Sequence, residues 1–344
     1  MNKRLCSVLM LCVVLVSPVL ANEPGSWEFY KQTFITGDGR VIDFFQDKSS
    51  HSEGQGYGLL LSVFHNDRPT FDALLSWTQK NLMIRKDHLS AWHWGKRLNG
   101  QWGIIDYNNA TDGDLLIAWA LFVAAEKWNH HGYKVMALDI LLDVKETLVV
   151  KKNGCILLLP GFYGFDSPQK ISLNPSYFIY PAFEMFSIAD DPVYWKNLSR
   201  QSLDISFQKT FTRFSLPPDW LILEDKEIKI DIERSQNFGY EAIRIPLYLA
   251  LSNKKTAMET FIPFLSFYEK TGFLPSVVDL VDSQVSIDEA PAGFYAVFSL
   301  CSHLMGKTDL SRQLMLKAKQ KIAHESKDYY SNTLYLLART KIKP

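Results

Sequence analysis

Residues 115 to 125 read Leu-Leu-Ile-Ala-Trp-Ala-Leu-Phe-Val-Ala-Ala, without one polar side chain. A helix that is apolar all round has no face to give to water, so other elements must surround it. That single requirement rules out a thin or open arrangement and asks for at least two layers around one core. The same stretch begins Ala110-Thr111-Asp112-Gly113-Asp114. Thr111 and Asp112 stand where an N-cap is expected, and Asp114 falls in the first turn, where the helix dipole favours a carboxylate. Read alone, the two carboxylates simply cap a buried helix.

The rest of the chain repeats helical patterns. Helices are expected over 27–34, 57–64, 69–83, 112–128, 133–149, 178–188, 192–211, 240–251, 255–270, 289–304, 310–323 and 327–337. The pattern at 69–83 has Pro69 near its start and Phe71, Leu74, Leu75 and Leu82 at helical spacing. Short strand-like pieces are expected at 156–159 and 228–232. Some of these helices are wholly apolar and others amphipathic, which suits an inner ring of buried helices wrapped by an outer one. No linker rich in Gly, Ser or Pro divides the chain, so residues 22–344 are expected to form one domain.

The N-terminus has the pattern of a Sec signal peptide. Asn2-Lys3-Arg4 precedes an apolar stretch from Leu5 to Val16, and Val19-Leu20-Ala21 offers a small-residue cleavage site. The apolar stretch is too short to span a bilayer permanently. The expectation is a cleaved leader over 1–21 and a periplasmic or secreted protein with no stable membrane insertion. Basic and acidic residues number 37 each, and Lys3 and Arg4 leave with the leader. Such a balance offers no basic surface for nucleic acid. Cys6 and Cys12 leave as well. Cys155 and Cys301 sit in apolar runs and read as two buried thiols, although an oxidising compartment would also permit a bridge. No Cys/His spacing resembles a zinc site, and no metal or cofactor is expected.

Three further stretches can carry chemistry. Ser52-Glu53-Gly54-Gln55-Gly56-Tyr57-Gly58 sets one carboxylate among alternating glycines, which read either as room for close backbone approach by a neighbour or ligand or as a tight turn before a helix at Tyr57. It lacks the spacing and the Lys-Ser/Thr of a phosphate loop. Phe238-Gly239-Tyr240-Glu241-Ala242-Ile243-Arg244 puts Glu241 and Arg244 three residues apart, neighbours on one face of a helix. Aromatics gather between helices: Trp92 and Trp94, Trp102, Tyr107, Phe162 to Phe165, Tyr177, Tyr180 and Trp220. Flat rings of this kind cover the apolar C–H faces of sugars, or they fill the core.

Taken together, five ordered motifs resemble glycoside hydrolase family 8, the bacterial endoglucanases and their relatives. They are Ser-Glu-Gly-Gln-Gly-Tyr-Gly from Ser52, Ala-Trp-His-Trp-Gly-Lys from Ala91, Ala-Thr-Asp-Gly-Asp-Leu-Leu-Ile-Ala-Trp-Ala-Leu from Ala110, Asn174-Pro175-Ser176-Tyr177, and Tyr240-Glu241-Ala242-Ile243-Arg244. The resemblance implies an all-α (α/α)6 barrel and inverting hydrolysis of a β-1,4-glucan. It implies Glu53 as general acid, Glu241 as general base, and Asp112 as the residue orienting substrate and water. It further implies Tyr57, Trp92, Trp94, Asp114, Tyr177, Trp220, Tyr240 and Arg244 as substrate-binding residues, with Tyr177 and Arg244 shaping the base and its water. Arg40-Val41-Ile42-Asp43 and Asn66-Asp67-Arg68 resemble the branch that accompanies bacterial cellulose synthase, which would make that complex a partner.

One position departs from the family pattern. Where the base is usually the Asp of Tyr-Asp-Ala, this chain has Glu241, one methylene longer. An inverting pair stands roughly 6.5–9.5 Å apart to admit a water, and a longer base narrows that gap unless the backbone moves. The alternatives are a glucan-binding accessory without turnover, a hydrolase of xylan, mixed-linkage glucan or chitosan, and a polysaccharide lyase on a similar toroid.

Overall fold

The computed structural model describes residues 23–340 apart from 153, 209 and 210. The expected leader, with Cys6 and Cys12, lies outside the described residues. The helices are α1 (Trp27–Phe34), α2 (Ser52–Phe64), α3 (Arg68–Asn81), α4 (Thr111–Lys127), α5 (His131–Asp143), α6 (Tyr180–Ala189), α7 (Pro192–Phe207), α8 (Arg244–Leu251), α9 (Lys255–Met258), α10 (Ile262–Thr271), α11 (Ala292–Leu304), α12 (Thr308–Ile322) and α13 (Tyr329–Arg339). A turn of π-helix, Val144–Leu148, extends α5. A 3-10 turn with Pro263 just beyond it separates α9 from α10, so the single helix expected over 255–270 is two.

Burial sorts these helices into two layers. In α4 every residue from Thr111 to Phe122 is buried, as the apolar run requires. The same holds for Gly54 to Val63 of α2, Arg244 to Ala250 of α8, and most of α11 and α13. By contrast α12 buries only Leu310, Leu314, Ala318 and Ile322, one stripe at helical spacing. The inner helices touch in the order α2, α4, α6, α8, α11, α13 and back to α2. Each carries its sequence neighbour outside: α3 on α2, α5 on α4, α7 on α6, α9 on α8 and α12 on α11, while α1 covers α13. The result is a closed (α/α)6 barrel.

The loops add short antiparallel sheets. Strand β1 (Ser50–His51) pairs with β2 (His93–Lys96), which pairs with β3 (Trp102–Asp106). A hairpin joins β4 (Val149–Lys152) to β5 (Cys155–Leu158), and β6 (Lys170–Leu173), β7 (Leu221–Glu224) and β8 (Glu227–Ile230) form a second three-stranded sheet. Finally, β9 (Asn237–Phe238) pairs with β10 (Val278–Asp279). Among the described residues Cys155 and Cys301 are free thiols; Cys301 is buried but Cys155 is half-buried.

Two boundaries differ in ways that matter. The glycines of 52–58 are not a turn before a helix but the first turns of α2 itself. A Cβ on Gly56 would lie 2.6 Å from Leu116 Cβ in α4, and one on Gly113 would run into Ser52 Oγ. The glycines let two inner helices cross almost backbone to backbone. Likewise α8 begins at Arg244 rather than Tyr240, and 240–243 form a turn. Gly239 and Ala242 donate their N–H groups to Asp219 Oδ1 at 3.0 and 2.8 Å, which holds that turn outside the helix.

Candidate active site

The starts of α2, α4 and α8 meet at the guanidinium of Arg244, a residue only 1% exposed. Its Nη1 donates to Glu53 Oε2 and, at 2.9 Å, to Asp112 Oδ2. Its Nη2 donates to Glu241 Oε2 and to Ser176 Oγ, the latter at 2.7 Å. Asn174 Nδ2 also donates to Glu241 Oε2 at 3.1 Å. Three carboxylates therefore surround one cation. Burial raises the Glu53 carboxyl above its usual range against the opposing pull of Arg244, and it raises Asp112 well above its range. A single buried cation cannot balance three anions, so the cluster favours keeping a proton.

Glu53 sits in the first turn of α2, with Tyr329 Oη 3.5 Å from its Oε1. The Glu241 side chain is 39% exposed, the most open of the three, and faces a groove. This arrangement holds one carboxyl that favours its proton and one solvent-facing carboxylate on the two terminal nitrogens of the same guanidinium. Asp112 sits between them beneath, accepting from the Gly113 N–H at 2.8 Å.

Tyr240, Tyr329 and Tyr330 line the cavity at the carboxyl cluster, and further rings gather around it. Tyr177 lies against Arg244, with the guanidinium carbon 5.4 Å from its ring centre. Trp220 follows, stacked on Phe165 at 5.9 Å, with Arg234 over both rings. Trp92 stacks on His51 and His93 beside the start of α2, and its Nε1 donates to Asp106 Oδ2 at 2.8 Å. Tyr240 is half-exposed on the opposite flank, its carbonyl accepting from Tyr330 Oη at 2.7 Å.

Three of the expected substrate residues are placed elsewhere. Tyr57 is fully buried and its hydroxyl bonds that of Tyr248 at 2.8 Å, so it offers sugar no face. Asp114 is also fully buried, accepting from Ser90 N–H at 2.7 Å and Asn109 Nδ2 at 2.9 Å; it ties loops to α4, and burial lifts its carboxyl to about 7. Trp94 packs edge-on against Trp77 of α3, stacks on Trp102 and lies beneath Arg40, where a register shift after His93 sends its ring. Nor do Thr111 and Asp112 cap α4: its N-cap is Ala110, with no side-chain bond, and Thr111 Oγ1 donates to the Leu159 carbonyl.

Sequence reasoning missed Asp219, Tyr329 and Tyr330. Asp219 stands in Pro217-Pro218-Asp219-Trp220, where the tryptophan drew attention and the carboxylate did not. It is buried, its carboxyl pushed up to about 6 by desolvation, and it fixes the backbone on both sides of Glu241.

A helical toroid whose inner-helix starts bring paired carboxylates to an aromatic-lined groove has the layout of a polysaccharide-cleaving enzyme. The chain matches the model of the glycosyl hydrolases family 8 over residues 1–341 and belongs to that family; it is a glycoside hydrolase. It is 35% identical to an endoglucanase of Cellulomonas uda over 74% of this chain and 71% of that one. It is 32% identical to a probable endoglucanase of Novacetimonas hansenii over 90% and 88%. Among solved structures, the family 8 endoglucanase Cel10 of Klebsiella pneumoniae superimposes with a TM-score of 0.78 at 30% identity, covering 91% of this chain and 96% of that one. Among the described residues no helix is long and apolar enough to cross a membrane.

Proposed function

We propose that the protein is an inverting endo-β-1,4-glucanase in which Glu53 protonates the leaving oxygen and Glu241 activates water. The observation that carries this is the sharing of Arg244 between a half-buried carboxyl that desolvation raises and a second, more open carboxyl lining the same cavity. A general acid needs its carboxyl raised toward working pH, and desolvation moves Glu53 in that direction. A base must be open to water and aimed, and Glu241 is the most open of the three carboxyls, with Arg244 and Asn174 to aim it. Asp112 and Tyr177 hold the reacting sugar. For water to enter, Glu241 turns from the guanidinium toward the groove, and the pair opens toward the separation an inverting enzyme needs. Water then loses a proton to Glu241 and attacks the anomeric carbon as Glu53 gives its proton to the departing chain. A glucan binder without turnover would have no use for a second, aimed carboxyl sharing Arg244 with Glu53.

The test is a reducing-sugar assay on carboxymethylcellulose, with viscosity followed in parallel. Internal cleavage drops viscosity well ahead of reducing ends. Glu53→Gln is expected to keep binding and to lower kcat by about 10²–10⁴-fold, the usual contribution of general catalysis. Proton NMR of the first product should show the α-anomer. Full activity in Glu53→Gln, or the β-anomer first, would overturn the assignment. A place in the periplasm beside cellulose synthase rests on the leader pattern and the 40–43 and 66–68 motifs.

A further inference from the structure

The backbone that carries Glu241 is held from outside its own helix. Helix α8 has no side-chain cap at its start, and Glu241 lies in the turn just before it. Buried N–H groups at such a start need a partner. Asp219, only 6% exposed, supplies one. Its Oδ1 accepts from the N–H groups of Gly239 and Ala242, on either side of Glu241, while Oδ2 accepts from Ser235 Oγ at 3.0 Å. The Asp219 N–H donates in turn to the Asn237 carbonyl at 2.7 Å, and the Trp220 carbonyl accepts from the Asp231 N–H at 3.1 Å. Pro217 and Pro218, both buried, stiffen the approach to Asp219. The carboxyl is thus fixed on its own side and grips the turn at two points. Arg244 does not depend on it, because Glu53, Asp112 and Ser176 hold its guanidinium.

We infer that Asp219 is a positioning residue for the base: by gripping the turn on both sides of Glu241 it sets where that side chain starts and how far it reaches toward the reacting sugar. This rests on the reading of Glu241 as base. Arg244 and Asn174 aim the far end of Glu241, and those contacts are given up when the carboxyl turns toward water. What then keeps the carboxyl in range is the backbone beneath it, which Asp219 holds. A misplacement of about 1 Å at a reacting group can cost about 10²-fold in rate. A cap that served only α8 could stand at the helix's own N-cap. Here it comes from a segment distant in sequence that also carries Trp220, so the ring and the base turn share one support.

The experiment measures kcat and KM on carboxymethylcellulose at a temperature where every variant is folded. Asp219→Ala is expected to lower kcat about 10- to 100-fold with KM within about twofold. Asp219→Ser, too short to reach both N–H groups, serves if Asp219→Ala does not fold. Asp219→Asn, whose amide oxygen can still accept from both, should stay within about threefold of the wild type. The deciding measurement removes the base. In Glu241→Ala driven by azide no side chain is left to aim, so adding Asp219→Ala should leave that turnover within about twofold. Unchanged kcat in Asp219→Ala, or an equal loss in the azide-driven background, overturns the inference. The base reading fails separately, if Glu241→Ala keeps full activity or the wild type cleaves nothing. In either case, or without azide rescue, amide hydrogen exchange decides the anchoring. Faster exchange at Gly239 and Ala242 in Asp219→Ala, with α4 unchanged, supports it, and unchanged exchange at both overturns it.

Discussion

At the scale of single residues, the site is an exercise in unequal burial. Glu53, Asp112 and Glu241 share one arginine, yet Asp112 is 1% exposed and the Glu241 side chain 39%. Chemistry is assigned by that difference more than by residue type. The extra methylene of Glu241 lets it rest on Arg244 and Asn174 while the turn beneath it stays where Asp219 pins it. The family's usual base is one methylene shorter, so shortening it should be tolerated. Glu241→Asp is expected to keep kcat on carboxymethylcellulose within about tenfold or to raise it, whereas Glu241→Ala should lose turnover and regain some with azide, a nucleophile that needs no base. Full activity in Glu241→Ala would move the base elsewhere.

At the scale of elements, the crossing of α2 and α4 sets the distance between acid and Asp112. Helix propensity alone favours Ala over Gly by about 1 kcal/mol. At Gly56 the added methyl would meet Leu116, and overpacking costs about 1–3 kcal/mol. Gly56→Ala is therefore expected to lower stability in chemical denaturation despite the better propensity, with kcat falling as Glu53 and Asp112 are pushed apart. A more stable variant would show that the crossing has room. The helices themselves were largely legible, because periodicity and Pro signals report local burial: α1 and the cores of α3, α4, α7 and α12 lie where the pattern puts them. What was hidden is non-local. The helical glycines of α2 look like a turn until α4 is laid across them. The turn at 240–243 looks helical until Asp219, distant in sequence, takes its N–H groups. Tyr57 and Trp94 sit in motifs next to the site, yet sequence adjacency does not say which way a ring points. Within the proposed machinery Glu53, Asp112, Glu241 and Arg244 were readable because their motifs are; Asp219 was not.

At the scale of the whole molecule, buried carboxyls couple stability to pH. Burial raises Asp114 from 3.8 to about 7, so its protonated form is the one the fold favours. Its contribution is full below the unfolded pKa of 3.8 and is lost as pH rises through about 7. Buried His51, with His65 and His93, acts in the opposite sense, since burial lowers their pKa values. The clean measurement is therefore a difference. Between pH 4 and 7 the wild type should lose stability relative to Asp114→Asn, and a constant gap between the two denaturation curves would refute the linkage.

The ring of inner helices also has a consequence in time. Its last member, α13, joins α11 to α2, and Tyr30 of α1 bonds Thr333 at 3.0 Å, so both ends of the described chain meet at one seam. The same helix brings Tyr329 to Glu53. A chain emerging from its N-terminus thus makes its acid early and must wait for nearly the whole sequence before that acid has its surroundings. Long-range closure of this kind slows folding, because the loop must be paid in entropy before its contacts form. Until the final helix docks, an unfinished chain holds Glu53 beside an open seam, without the Tyr329 hydroxyl at its Oε1.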